Sequence, residues 1–157
     1  MKPSIHSHIR PTTPGNRKVN VLIVDDHPVV RKGLWSCLSM KDNLKVVGEA
    51  VDGDDAITKA KELLPDIVLM DLHMPKMDGL EVTDTLRKAA PQVKVLILSM
   101  QGTRDSVLRI IKAGARGYVL KDADPEEVAK AIRSAAAGES PLDPRVVRRL
   151  MQGINPP

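Results

Sequence analysis

Short apolar runs alternate with amphipathic segments along most of this chain. Runs rich in Val, Ile and Leu predict five short strands, each buried on both faces: Val19–Val24, Leu44–Ala50, Ile67–Met70, Val93–Leu98 and Gly117–Leu120. Apolar positions at helical spacing predict five helices: about Pro28–Met40, Asp52–Leu64, Gly79–Ala90, Thr103–Ala113 and Pro125–Ala137. Asp143 followed by Pro144 is a helix-start signal, and it predicts a further short helix to about Met151.

This regular alternation of strand and helix predicts an α/β fold with one doubly wound, five-stranded parallel sheet. Its expected strand order is 2-1-3-4-5, as in flavodoxin-like folds, with helices on both faces. In such sheets the ligand site lies in the crevice beyond the carboxyl ends of the strands. Polar residues at those ends are therefore the first candidates for function.

The length and the charge distribution predict how the chain is organised. A chain of 157 residues suggests one domain, assigned here to residues 19–140. The net charge of +4 arises in residues 1–18, which contain Lys2, Arg10, Arg17 and Lys18 and no acid. Because this segment is also rich in proline, we expect a disordered basic leader. Residues 141–157 are expected to form a linker helix and a tail.

Composition excludes several classes of protein. The apolar runs are too short to span a bilayer, and the N-terminus lacks the apolar core of a secretory signal, so we expect a cytoplasmic protein that does not enter membranes. The single cysteine, Cys37, cannot form an internal disulfide. The chain contains one Trp, one Tyr and no Phe, which argues against stacking of nucleobases. Dinucleotide, P-loop and serine-nucleophile motifs are absent from the sequence.

Five polar residues fall at the carboxyl ends of four predicted strands: Asp25, Asp26, Asp71, Ser99 and Lys121. Three carboxylates in one crevice repel one another unless a cation lies between them. Oxygen ligands of this kind suit Mg²⁺, whereas the absence of a helical His pair makes zinc a weak alternative. Any one of these residues alone is better explained as a helix cap or turn residue, and Asp26 could cap the first helix. The set as a whole indicates a magnesium-assisted phosphoryl site in which a carboxylate is the nucleophile.

The sequence resembles the receiver domain of two-component response regulators. The resemblance covers roughly residues 19–140, and it depends on five pieces: VDDHPVVRKGL (24–34), VVGEA (46–50), PDIVLMDLHMPKMDGLE (65–81), VLILSM (95–100) and AGARGYVLKDADPEEVAKAI (113–132). The runs DDHPVVR and GYVLKDA, together with the C-terminal LDPRVVRRLM, are similar to the NarL/LuxR-type subfamily. Such proteins are signalling phosphoacceptors rather than enzymes with continuous turnover.

The resemblance implies a role for each candidate residue. Asp71 matches the phosphoacceptor, which takes its phosphoryl group from a phosphohistidine of a sensor histidine kinase. Asp25 and Asp26 match the acidic pair that holds Mg²⁺, together with Asp71 and the main-chain carbonyl of His73. Lys121 and Ser99 match the residues that contact the phosphoryl group.

Three further residues are candidates for switching and for timing. Tyr118 matches the aromatic switch residue, although a buried strand aromatic with no further role is the alternative. His73 and Gln101 lie two residues beyond Asp71 and Ser99, where their side chains would influence the approach of water and thus the lifetime of the phosphoryl group. The alternative for His73 and Gln101 is that both merely face solvent.

Members of this subfamily carry a helix-turn-helix domain after the receiver and commonly form phosphorylation-dependent homodimers. We therefore expect a DNA-binding, transcription-regulating domain beyond residue 157, while this chain itself does not bind nucleic acid. A natural stand-alone receiver acting through protein contacts is the first alternative. A Mg²⁺-dependent phosphohydrolase with an aspartyl-phosphate intermediate and an inert interaction module are the others.

Overall fold

The computed structural model describes residues 17–72, 74, 79–100 and 103–152. Within these ranges the chain forms five strands and six helices. The strands are β1 (Val19–Val24), β2 (Leu44–Ala50), β3 (Ile67–Asp71), β4 (Lys94–Ser99) and β5 (Gly117–Leu120). The helices are α1 (Pro28–Ser39), α2 (Gly53–Leu63), α3 (Gly79–Ala89), α4 (Arg104–Lys112), α5 (Pro125–Ala136) and α6 (Pro144–Gln152).

The strands form one parallel sheet in the order β2-β1-β3-β4-β5, which confirms the predicted fold. Strand β3 ends one residue later than predicted, and β4 both begins and ends one residue later. The two carboxyl ends concern the site. Strand β3 includes Asp71, which is paired with Leu98, and β4 includes Ser99, which is paired with Leu120. Both polar side chains are therefore fixed by the sheet itself rather than by a loop.

Two apolar layers cover the sheet, one on each face. Helices α1 and α5 pack on one face, where Leu38 and Ile132 are fully buried. Helices α2, α3, α4 and α6 pack on the other. Burial of the strands on both faces explains why their sequences are nearly continuous runs of aliphatic residues.

The residues after α5 lie along the outer edge of β5. We call Pro141–Asp143 the C-terminal strap. The Tyr118 N–H donates to the Pro141 carbonyl at 3.0 Å, and the Asp143 N–H donates to the Tyr118 carbonyl at 3.0 Å. Helix α6 then turns onto the face that carries α4, where its Val146 side chain is fully buried. The sequence predicted α6 itself but gave no sign that the strap would cover an edge of the sheet.

At the amino-terminal ends of β1 and β3, the last residues of the predicted leader contact the folded body. Arg17 pairs with Asp66 at 2.6 Å, and Asp66 also accepts the Asn20 N–H at 2.8 Å. Residues 1–16 lie outside the described part of the chain. None of the described helices has the length and apolar character needed to cross a bilayer.

The strap approaches Gly117 so closely that a side chain there has no room. A Cβ atom on Gly117 would lie 2.5 Å from the Pro141 carbonyl oxygen and 2.7 Å from Leu96 Cδ1. We therefore expect Gly117→Ala to lower the free energy of unfolding by about 1–3 kcal/mol, measured by urea denaturation. Gly33→Ala is the control, because a Cβ atom at this exposed helical position meets nothing within 4 Å. It should stabilise the protein by roughly 0.5–1 kcal/mol; equal effects of the two substitutions would contradict the prediction.

Candidate functional site

The five polar residues singled out in the sequence lie at the carboxyl edge of the sheet. Asp71 and Ser99 end strands β3 and β4, Asp25 and Asp26 follow β1, and Lys121 follows β5. Asp25, Asp71 and Ser99 are buried, whereas Asp26 and Lys121 are half-buried. The parallel sheet brings these residues together from four strands because all of its carboxyl ends lie at one edge.

Lys121 joins two of the carboxylates. Its Nζ atom lies 3.1 Å from Asp25 Oδ2 and 3.1 Å from Asp71 Oδ2. Its main-chain N–H donates to the Ser99 carbonyl at 2.7 Å, which fixes the start of the loop after β5. Burial by itself lowers the pKa of Lys121, but its close contacts with the negatively charged Asp25 and Asp71 carboxylates outweigh this effect. The pKa of Lys121 therefore lies above its usual value, and the ammonium group is charged at neutral pH.

A second set of contacts orients Asp25. Its Oδ1 atom accepts the His27 N–H at 2.8 Å. Arg31 donates to the Asp25 carbonyl at 2.7 Å through Nη1 and to Glu49 at 2.9 Å through Nε. Arg31 was not among the predicted site residues. Its place in the DDHPVVR run was the only signal in the sequence, since the spacing of helix α1 alone does not show which way a polar side chain turns.

The acidic residues form a cluster that could hold a metal ion. One ligand atom from each of Asp25, Asp26, His27 and Asp71 lies within 4.8 Å of the others. Asp25 Oδ2 and Asp26 Oδ1 are both buried, and neither accepts a hydrogen bond from any described residue. Lys121 Nζ lies 3.1 Å from Asp25 Oδ2, and His27 Nδ1 lies 3.1 Å from Asp26 Oδ1. Buried carboxylate oxygens in this state favour a bound cation, so the residues present fit a metal site.

The structure also addresses the alternative explanation of Asp26. Helix α1 begins with His27 as its N-cap, and no side chain caps that end. Asp26 is therefore not the cap of this helix. His27, which directly follows the acidic pair in the sequence, contacts both acids, with Nδ1 3.0 Å from Asp25 Oδ1 and 3.1 Å from Asp26 Oδ1.

Ser99 and Tyr118 lie in the two strands nearest Lys121, Ser99 at the end of β4 and Tyr118 within β5. Both side chains are fully buried, and Tyr118 pairs with Ile97, two residues before Ser99. Tyr118 packs in the same apolar layer as Val107 of α4 and Val146 of α6. His73 and Gln101 lie outside the described residues, so their proposed influence on the approach of water stays a prediction.

The fold and site define a class, the doubly wound α/β domains with an acidic crevice at the carboxyl edge. Residues 21–133 match the profile of the response regulator receiver domain, and the chain belongs to this family. This result confirms the family suggested by the sequence.

Known proteins place the chain among NarL- and LuxR-type receivers. It is 43% identical over 132 residues to the response regulator protein VraR of Staphylococcus epidermidis, covering 84% of this chain and 63% of that protein. A LuxR-family two-component response regulator from Aurantimonas superposes with a TM-score of 0.84 at 34% identity, covering 87% of this chain and 98% of that one. The receiver domain of the putative response regulator NarL from Mycobacterium tuberculosis superposes with a TM-score of 0.76 at 38% identity, covering 78% of this chain and 99% of that one. The chain thus spans less than two thirds of the length of VraR.

The position of Lys121 makes a prediction about stability. Lys121→Ala leaves two buried carboxylates without their shared cation, so we expect the free energy of unfolding to fall by about 3 kcal/mol in a metal-free buffer. Adding Mg²⁺ should restore part of the loss if the acidic cluster holds a metal ion. Thermal melts with EDTA and with Mg²⁺ measure both effects.

Lys88→Ala is the matched control for this measurement. Lys88 also pairs with an aspartate, Asp84, at 3.3 Å, but its side chain is 70% exposed. Water screens a pair this exposed, so it contributes little to stability, and Mg²⁺ should not change the result. Similar losses in the Lys88 and Lys121 variants would show that the buried pair does not stabilise the fold.

Proposed function

We propose that this protein is the phosphoacceptor of a two-component signalling system, phosphorylated on Asp71 by a partner histidine kinase. The observation that supports this most directly is the Lys121 ammonium group, 3.1 Å from both Asp25 and Asp71. Phosphoryl transfer depends on positioning and on neutralising charge. A buried carboxylate nucleophile beside a fixed cation meets both requirements.

The acidic cluster is the proposed site of Mg²⁺. The carboxylates of Asp25, Asp26 and Asp71 would hold the ion, together with the main-chain carbonyl of His73. When bound, Mg²⁺ neutralises negative charge on the phosphoryl oxygens. Oxygen donors without thiolates favour Mg²⁺ over zinc.

The residues of this chain have separate tasks in the proposed transfer. A carboxylate oxygen of Asp71 attacks phosphorus, the P–N bond to the kinase histidine breaks, and its electron pair returns to the imidazole. The product is an aspartyl phosphate, in which the Lys121 ammonium group pairs with a phosphoryl oxygen. The Ser99 hydroxyl donates to another oxygen, which draws the end of β4 toward the phosphate.

The proposed readout of phosphorylation is a change around Tyr118. Its ring lies in the apolar layer under α4 and α6, close to the end of β4 that Ser99 occupies. A shift of this end of β4 changes the space available to the ring and so alters the exposed surface of α4 and β5. His73 and Gln101 are proposed to set how long the phosphate survives.

We further propose a transcriptional output for the complete protein. A similar solved structure, whose chain is 27% identical to this one, is that of two RcsB dimers bound to two parallel DNAs. By analogy, a DNA-binding domain is expected in the same polypeptide as this receiver, with phosphorylation favouring a homodimer. Encounter with the kinase would take place in the cytoplasm. A stand-alone receiver is the alternative if no such domain is present.

Labelling by a small phosphodonor tests the central proposal. Wild-type protein incubated with Mg²⁺ and acetyl phosphate should gain the mass of one phosphoryl group. Asp71→Asn should gain none, because the amide is close in shape but is a poor nucleophile. Asp54→Asn changes an exposed acid in helix α2 and should label like the wild type. Labelling of the Asp71 variant at the wild-type rate would contradict the assignment, and rapid continuous release of phosphate would support the phosphohydrolase instead.

Asp26 supplies an independent prediction about the metal. Asp26→Ala should weaken Mg²⁺ binding and slow labelling. It should also raise the stability of the metal-free protein by about 0.5–2 kcal/mol, because a buried oxygen without a hydrogen bond and a neighbouring like charge are both removed. Isothermal titration with Mg²⁺ and melts in EDTA measure the two effects. A metal-free variant less stable than the wild type would show that Asp26 has a structural role.

A further inference from the structure

Helix α6 and the strap are fastened to the segment that carries Tyr118 and Lys121. On one side, the main chain of Tyr118 makes hydrogen bonds to both Pro141 and Asp143. On the other, the apolar side of α6 is anchored by Val146, which is fully buried in the same layer as Tyr118. The C-terminal helix therefore contacts the switch residue of the proposed function through its backbone and through the core.

A second attachment reaches the residue next to Lys121. The Arg145 guanidinium group donates from Nη1 to Asp122 Oδ2 at 3.0 Å, and its Nη2 lies 2.8 Å from Asp122 Oδ1. The same guanidinium donates to both carboxylate oxygens of Asp143, at 3.1 Å from Nε and 3.0 Å from Nη2. One side chain thus ties the start of α6 to the loop after β5. We call this arrangement the Arg145 clamp.

The clamp differs from an ordinary surface ion pair because one of its two carboxylates is buried. Asp143 is buried, and its Oδ1 also accepts the Arg145 N–H at 2.9 Å, which caps the first turn of α6. Burial by itself raises the pKa of Asp143, but the hydrogen bonds and charge of Arg145 outweigh it and hold the pKa below its usual value. Two-pronged contacts between a guanidinium group and carboxylates fix geometry as well as charge. The position of Arg145 is therefore determined by a buried partner, and Arg145 in turn restrains the exposed Asp122.

We propose that Arg145 is a positioning residue for the phosphoryl-transfer site, acting through Asp122 on the loop that carries Lys121. With α6 docked, this loop is held where Lys121 reaches Asp71, so the ordering of the loop need not accompany each transfer. Docking of α6 and phosphorylation of Asp71 then favour each other. The effect on Lys121 is independent of phosphorylation, while the effect on transfer rests on the proposed function.

The coupling must act in both directions, because a coupling free energy between two events is reciprocal. A phosphoryl group that pairs with Lys121 and Ser99 restrains the loop after β5. A restrained loop presents Asp122 to Arg145 and thereby stabilises the docked α6. Phosphorylation should therefore tighten the attachment of the helix that leads out of the receiver, rather than release it.

Amide hydrogen exchange of the unphosphorylated protein tests the clamp itself. The informative amides are those of Tyr118, Lys121 and Asp143, each bonded to a carbonyl in or beside this region. Arg145→Gln should speed exchange at Lys121 and Asp143 about fivefold, because local opening of this region becomes more frequent without the clamp. Arg148→Gln is the matched control, since it makes the same change of charge on the exposed side of the same helix. Unchanged exchange in the Arg145 variant, or equal changes in both variants, would overturn the proposal.

Labelling kinetics test the link to the phosphoryl site. With saturating Mg²⁺ and acetyl phosphate, Arg145→Gln should lower the labelling rate about fivefold, Arg145→Lys should recover part of the rate, and Arg148→Gln should leave it unchanged. Asp122→Asn should match Arg145→Gln, and combining the two should add nothing. A purely structural role of Arg145 would not show this pattern. An unchanged or faster rate in Arg145→Gln would refute the positioning role.

The last measurement separates this proposal from the proposed function. Beryllofluoride, a mimic of the phosphoryl group, should slow exchange at Asp143 in the wild type and much less in Arg145→Gln. If the wild type neither labels nor binds the mimic, the proposed function fails, and the exchange experiment still decides whether the clamp exists. Faster exchange at Asp143 with the mimic bound would reverse the sign of the coupling and contradict the proposal.

Discussion

The placement of one ammonium group between two buried carboxylates is the constraint on which the rest of the site depends. Asp25 and Asp71 are nearly inaccessible, and such acids are costly to bury as ions unless a positive charge lies beside them. Lys121 supplies that charge from the carboxyl end of the edge strand β5. The strand order β2-β1-β3-β4-β5 makes this possible. It places β1 and β3 side by side, so that the lysine after β5 contacts the acids at the ends of both strands.

The buried charges also explain why the residues around them are held by hydrogen bonds. Asp25 is held by His27 and Arg31, while the amide of Lys121 is held by Ser99. Each of these contacts restricts the movement of Asp25 or of Lys121, two charged residues that lie close to other charges. Phosphoryl transfer requires rigid support of this kind, since it depends on positioning as well as on neutralising charge.

Most of the fold was predictable from the sequence, because aliphatic runs and helix-start signals are local features. The limits of β1, β2 and β5 agree with the prediction, and Asp71 and Ser99 were found because they follow such runs. Contacts between distant segments were not predictable in the same way. The Arg145–Asp122 pair and the strap beside Gly117 depend on how α6 turns, which no spacing in the sequence encodes. Arg31 of helix α1 was missed for the same reason, since its partner Glu49 lies in strand β2.

The direction of α6 has a consequence for anything attached to its far end. The helix is held at its first turn by Asp143 and by Val146, and Leu150, one turn further on, packs against the same apolar layer. At 1.5 Å per residue, its nine residues extend about 13 Å. Over this length, a rotation of the helix by about 5° at the strap displaces Gln152 by about 1 Å. A change too small to alter the sheet would in this way redirect whatever the helix carries.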